Sequence, residues 1–230
     1  MKQGIAMSSD SPTPDLVNAL REAFSDAECE IHKTEAITQK TPVSALNELR
    51  YAGSHMLVHL QEENEEELNQ AVMHGRRAFF DAQRFMLLFL MRDAQAIRDG
   101  MGDYISLYID LVSKTYGKGK YAQLKKGLLA AKSYIQQMAQ IKTDSNRWKK
   151  RGETFAACKP HIDALKEYID VYETISDEFV RIKKDADDAK QAAEARKRAE
   201  EQDKHRNFIL AVLGLVVTIL VGIATICFAG

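Results

Sequence analysis

The sequence predicts an all-α protein: a cytosolic helical bundle, continued by a long charged helical stalk into a single C-terminal transmembrane helix. Three observations carry this expectation. Proline occurs only four times in 230 residues, and long stretches are built from Ala, Leu, Glu, Lys, Gln and Arg, side chains that lose little freedom in a helix. Apolar residues recur at helical spacing along much of the chain. Finally, the 23 residues from Phe208 to Gly230 contain no charged side chain; at ~1.5 Å per helical residue such a run covers a bilayer core of ~30 Å.

Residues 1–12 read as a disordered leader, and 13–182 as the bundle. Thr13-Pro14-Asp15 is a helix start, with a capping hydroxyl, proline in the first turn and an acid at the positive helix end. A helix over 14–25 follows, and 26–40 stays open between a short helix and a connector. Thr41-Pro42 repeats the start signal for a helix over 42–62, closed by the acidic run Glu62 to Glu67. A long helix over 65–99 carries FMLLFLM, Phe85 to Met91, apolar on all sides and too short to span a bilayer, which predicts a central buried helix. Further helices are expected over 102–116, broken by Gly117 and Gly119, and over 121–142, with TDSN at 143–146 as a turn. The last helix is expected from Pro160 through the membrane. Its core stripe, Ile162, Leu165, Ile169, Tyr172, Ile175, Phe179 and Ile182, ends where a charged stalk over 183–206 begins.

The terminal apolar run, residues 207–230, reads as a tail anchor. Lys204, His205 and Arg206 precede it and nothing charged follows, so the positive-inside rule leaves the N-terminal part in the cytoplasm and the chain at the cell membrane. Gly214, Thr218 and Gly222 form one small-residue face suited to close approach of membrane helices. Cysteine chemistry is not signalled. The three cysteines, Cys29, Cys158 and Cys227, show no CxxC or Cys/His cluster, so neither a disulfide framework nor a metal site is expected, and no cofactor fingerprint appears.

Formal net charge is -1, but it is unevenly spread. Between Lys114 and Arg151 stand eleven Lys or Arg against one acid, Asp144. Lys118, Lys120, Lys125 and Lys126, then Arg147, Trp148, Lys149, Lys150 and Arg151, are interleaved with Tyr116 and Tyr121. Such a surface neutralises phosphates and stacks bases, so RNA or another anionic partner is one expectation; a solvated face paired with the acidic run is the other.

The stretch NELRYAGSHMLVHL, Asn47 to Leu60, holds the candidate catalytic pair Arg50 and His55. On a helical wheel Leu46, Leu49, Gly53, Met56, Leu57 and Leu60 define the expected core face, with Arg50 about 75° from its centre and His55 roughly 145° away. His55 then shares an outward stripe with Glu48, Tyr51 and His59, which predicts a subunit interface. The R-x4-H spacing in a small helical domain resembles the motif of the HEPN superfamily, over about 42–99. That resemblance implies a dimerising bundle in which Arg50 and His55 from two chains meet and cleave RNA without metal, His as general acid/base and Arg stabilising the phosphate.

Membrane-anchored HEPN-like proteins are similar to effectors of prokaryotic antiphage defence. The resemblance implies a self-associating membrane effector that perturbs the bilayer or forms a pore. The alternatives are a membrane-tethered ribonuclease and a non-enzymatic membrane scaffold. Expected partners are the lipid bilayer, a second copy of the chain, RNA or another anion, and a sensor or effector protein.

Overall fold

A computed structural model describes residues 14–140 and 157–228, with side chains over 15–139 and 157–215. Every regular element among the described residues is helical: α1 Pro14–Thr38, α2 Val43–Glu62, α3 Glu65–Met101, a 3-10 turn Gly102–Tyr104, α4 Ile105–Tyr116, α5 Lys120–Gln140 and α6 Cys158–Phe228. The all-α class expected from composition is what the chain adopts. By contact density it divides into two units, Met1–Ile175 and Ser176–Gly230.

In the first unit α3 is the spine, with α1 and α2 packed along it. Small side chains permit this. Ala27, Ile31, Ala45, Ala78 and Ala82 form one buried cluster, with Leu49 and Phe79 against it; Leu20, Leu68, Ala71 and Val72 form another. At Gly75 of α3 a Cβ would stand 3.0 Å from the Cβ of Ala23 and 3.4 Å from its carbonyl carbon, so only a hydrogen fits between α1 and α3.

The sequence left 26–40 open; the structure closes it as the second half of α1. Ala27, Ile31, Thr34 and Thr38 are buried there, on one helical face. Thr34 and Thr38 donate back to the carbonyls of Glu30 at 2.8 Å and Thr34 at 2.7 Å, which hides their hydroxyls within the helix. The all-round burial expected for Phe85 to Met91 is corrected: Met86, Leu87 and Leu90 are buried, whereas Leu88 is exposed and Phe89 lies 4.3 Å from the Arg92 guanidinium. The bundle covers only one side of α3 at that point.

The second part of the first unit is held by aromatic packing. Tyr108 of α4 and Tyr168 of α6 are fully buried, with Tyr121 and Tyr172 at 6.0 and 6.1 Å from the Tyr108 ring. Burial pushes the Tyr168 hydroxyl up to about 12 and that of Tyr108 still higher. Gly127 admits Ala164, where a Cβ would meet the alanine methyl at 3.1 Å. Near the start of α6, Tyr134 stacks on His161 at 4.3 Å beside buried Cys158, and burial lowers the pKa of His161.

In the second unit α6 is exposed on all sides from Asp188 to Leu215. Ion pairs such as Arg198 with Glu194 and Arg206 with Asp203 lie on its surface, where each contributes little. The expected transmembrane anchor is corrected here: among the described residues no helix is long and apolar enough to cross a membrane. Of the small-residue face, Gly214 has nothing within 4 Å of a would-be Cβ, while Thr218 and Gly222 lie outside the described side chains. With the anchor go the bilayer as partner, the membrane localisation and the membrane-effector reading.

Two measurements test this packing. Gly75→Val should destabilise the fold by about 1–3 kcal/mol in thermal or urea unfolding, since β-branching has no room against Ala23. Burial holds the pKa of His161 below its ordinary 6.5 in the fold, so the unfolded chain takes up this proton first as pH falls through that value. Stability should therefore decline as pH is lowered past that value, and His161→Phe should flatten the decline in unfolding curves measured across pH.

Candidate functional site

The hairpin of α2 and α3 brings together a dense group of polar side chains. Its turn is two residues long. Glu63 takes a left-handed conformation (φ 51°) and donates its backbone N–H to the carbonyl of His59 at 2.8 Å. Asn64 then caps α3, its side-chain oxygen accepting the Glu66 N–H at 3.0 Å. Glu65, Glu66 and Glu67 occupy the first turn of α3, where the helix dipole favours negative charge. His59, buried, bonds the Asn64 carbonyl through Nδ1 at 2.8 Å and ties the turn to the helix.

Two carboxylate–imidazole pairs then cross between the helices. His55 Nδ1 lies 2.6 Å from Glu67, and His74 Nδ1 lies 2.6 Å from Glu48. A carboxylate only accepts, so Nδ1 carries the proton in each pair and Nε2 is the nitrogen left for other partners. The two imidazoles stack with centroids 5.0 Å apart, and Tyr51 tilts onto His74 at 5.6 Å. Arg50 continues the row, its guanidinium 5.4 Å from the Tyr51 ring.

This geometry corrects the helical wheel. The residues α2 buries are Ala45, Ala52 and His59, and of the face expected in the core only Leu49 packs against the buried cluster; Leu46, Leu57 and Leu60 are 43%, 59% and 67% exposed, and Met56 is also exposed. Gly53 has no atom within 4 Å of where a Cβ would stand. His55 and Glu48, expected on an outward interface stripe, face α3; His59 is buried; Tyr51 alone of that stripe is well exposed. Arg50 and His55 are not brought together as a pair. Arg50 lies on Tyr51, and His55 is taken by Glu67 and His74.

Sequence reasoning missed Glu67 and His74. A signal existed: Glu48 to His55 and Glu67 to His74 are each E-x6-H. Seven residues are about two helical turns, so both residues of each motif lie on one face. When the two helices fold back on each other, the acid of one motif meets the histidine of the other.

The expected anion surface is only partly described. Lys118, Lys125 and Lys126 are exposed, and Lys120 is paired with Glu167 of α6. That pair sits in an open cleft of about 410 Å³ lined also by Tyr116, Asp163, Lys166 and Asp170, so acids surround Lys120. Arg147, Trp148, Lys149, Lys150 and Arg151 lie outside the described residues. Among the described residues no group of three or more His, Cys, Asp or Glu is arranged to hold a metal ion.

No family model matches the chain, and no curated protein or solved structure matches it. The HEPN resemblance is thereby corrected. Within the chain, His55 meets Glu67 of α3 through Nδ1. The defence-effector and ribonuclease readings that rested on it fall with it.

A double-mutant cycle measures what the crossed pairs contribute. The Glu48–His74 side chains are 22% and 13% exposed, those of Glu67 and His55 26% and 32%. Glu48→Gln with His74→Ala should show a coupling of about 1 kcal/mol in unfolding free energy, and Glu67→Gln with His55→Ala less, since solvent screens the outer pair more.

Proposed function

We propose that the protein is a helical protein-binding module whose docking surface is the outward face of α2. One observation carries this reading: α2 is amphipathic, yet it turns its alanines and histidines into the bundle and leaves Leu46, Leu57 and Leu60 in solvent. An apolar stripe on a helix ordinarily faces the core. Here the core side of α2 is already filled by the small-residue seam and the two carboxylate–imidazole pairs, so the stripe is a surface presented to something else. Laying an amphipathic helix against such a stripe, with anchors every three or four residues, is a common mode of helix recognition.

The polar cluster then acts to position the stripe. It fixes the rotation of α2 on α3, because turning α2 to bury its leucines would break both 2.6 Å pairs and expose His59. Partner binding is strengthened by a stripe held in one orientation before contact, and directional carboxylate–imidazole hydrogen bonds specify orientation better than alanine packing does.

Site-specific photo-crosslinking in the expressing cell tests the reading. A photoreactive residue at Leu57 should give discrete protein adducts well above those from an exposed control on α5, Gln136. Equal labelling at both positions would refute a docking role for α2.

A further inference from the structure

We infer that the occupant of the α2 stripe is a second copy of this chain, packed antiparallel across a two-fold axis that passes Gly53. The inference rests on the docking-surface reading above and adds the identity and geometry of the partner.

The exposed stripe is symmetric about Gly53. Leu46 and Leu60 stand at -7 and +7 from the glycine and exposed Leu57 at +4, with half-buried Leu49, which also packs against the alanine cluster of its own subunit, at -4. An isologous interface requires one patch to complement itself, with residue i meeting j and j meeting i. Reversing one α2 on another about Gly53 sets Leu46 against Leu60 and glycine against glycine, with Leu57 beside the exposed edge of the partner's half-buried Leu49. Leu46, Leu57 and Leu60 lie within about 40° of the Gly53 direction at roughly 100° per residue, so they form one narrow seam. The two glycines meet where crossing helices come nearest, and nothing in the described chain occupies the space a Cβ would take there.

The charges select the antiparallel sense. The C-terminal end of α2 carries exposed Glu62 and Glu63, followed by Glu65 and Glu66. The N-terminal end has no side-chain cap on its free N–H groups, and exposed Lys40 stands just before it. Antiparallel pairing places each acidic end against the other subunit's positive helix end. Parallel pairing would set acid against acid. Two stripes spanning Leu46 to Leu60 cover about 500 Å² in all, below the ~1,200 Å² at which specific interfaces become standard in size. The dimer is therefore weak and concentration-dependent.

Cysteine crosslinking of the full chain, with Cys29 and Cys227 changed to Ser, reads the geometry. Mixing Leu46→Cys with Leu60→Cys protein should give a disulfide dimer, while each variant alone gives little. Adding Leu57→Lys to both should slow crosslinking roughly tenfold or more, since each dimer loses two buried leucines. That substitution should leave helicity and melting temperature at dilution unchanged, because Leu57 is mostly exposed in the subunit. Crosslinking of Leu46→Cys and Leu60→Cys each with itself, without the mixed product, would overturn the antiparallel arrangement. A monomer at all concentrations, with no mixed crosslink above a Lys118→Cys control, would overturn the second copy altogether. If the Leu57 photo-adducts then contain a different protein, the docking surface survives and the self-association does not; if no adducts form either, both fail.

Discussion

The close approach of α1 and α2 to α3 is the constraint from which the rest follows. Gly75 against Ala23, and Ala45 in a seam with Ala27, Ala78 and Ala82, bring the helices together through small side chains, and Ala52 is buried on the same face of α2. Helices meeting through small residues sit near the short end of the usual ~8–10 Å axial separation. Once α2 lies that close, Leu49 packs only at the edge of the cluster and Leu46, Leu57 and Leu60 are left in solvent. The flank beside the alanines is filled by groups that satisfy one another, which Glu48, His55, Glu67 and His74 do.

An alanine seam contributes little apolar area, and alone it would define the rotation of α2 poorly. The crossed pairs supply that definition. Partly exposed carboxylate–imidazole hydrogen bonds add modestly to stability, but these two 2.6 Å contacts hold at only one rotation and one register. The turn reinforces the same geometry. His59 on the Asn64 carbonyl and the Asn64 cap at Glu66 fix where α2 ends and α3 begins, within a few residues of the first pair. Local capping, register and rotation thus agree, which is how one packing is selected over its near neighbours.

This division explains what the sequence revealed. The all-α class, the breaks at Gly117 and Gly119 and the core stripe of α6 were legible, because helix propensity and glycine conformation are local properties; Ile162, Leu165, Ile175 and Phe179 are buried as the periodicity implies. The orientation of α2 was not. A wheel weighted by hydrophobicity assumes the largest apolar residues face the core, and it was turned by about a quarter-circle or more because alanine, weak on such a scale, is what close packing selects. The same error sent His55 outward and hid its partner. His74 was legible only through the repeated E-x6-H spacing, which has meaning once α2 and α3 are folded back on each other. A two-residue R-x4-H pattern, by contrast, carries too little information to outweigh the contacts a histidine finds within its own hairpin.

The placement of Gly53 bears on why α2 is built this way. Mid-helix glycine costs about 1 kcal/mol relative to alanine, and at Gly53 the subunit gains nothing in return, because no neighbour approaches within 4 Å of the missing Cβ. The exposed leucines on either side add a second cost, since apolar area left in water forgoes ~25 cal/mol per Å² and invites non-specific association. In the isolated subunit both features are unfavourable. Replacing Gly53 with alanine, and Leu57 and Leu60 with charged residues, would leave the alanine seam and both carboxylate–imidazole pairs of α2 intact. The two costs fall on one narrow face, symmetric about the glycine. A surface that covers the leucines and comes close at Gly53 offsets both at once, so the unfavourable terms in the monomer become the favourable terms of the complex.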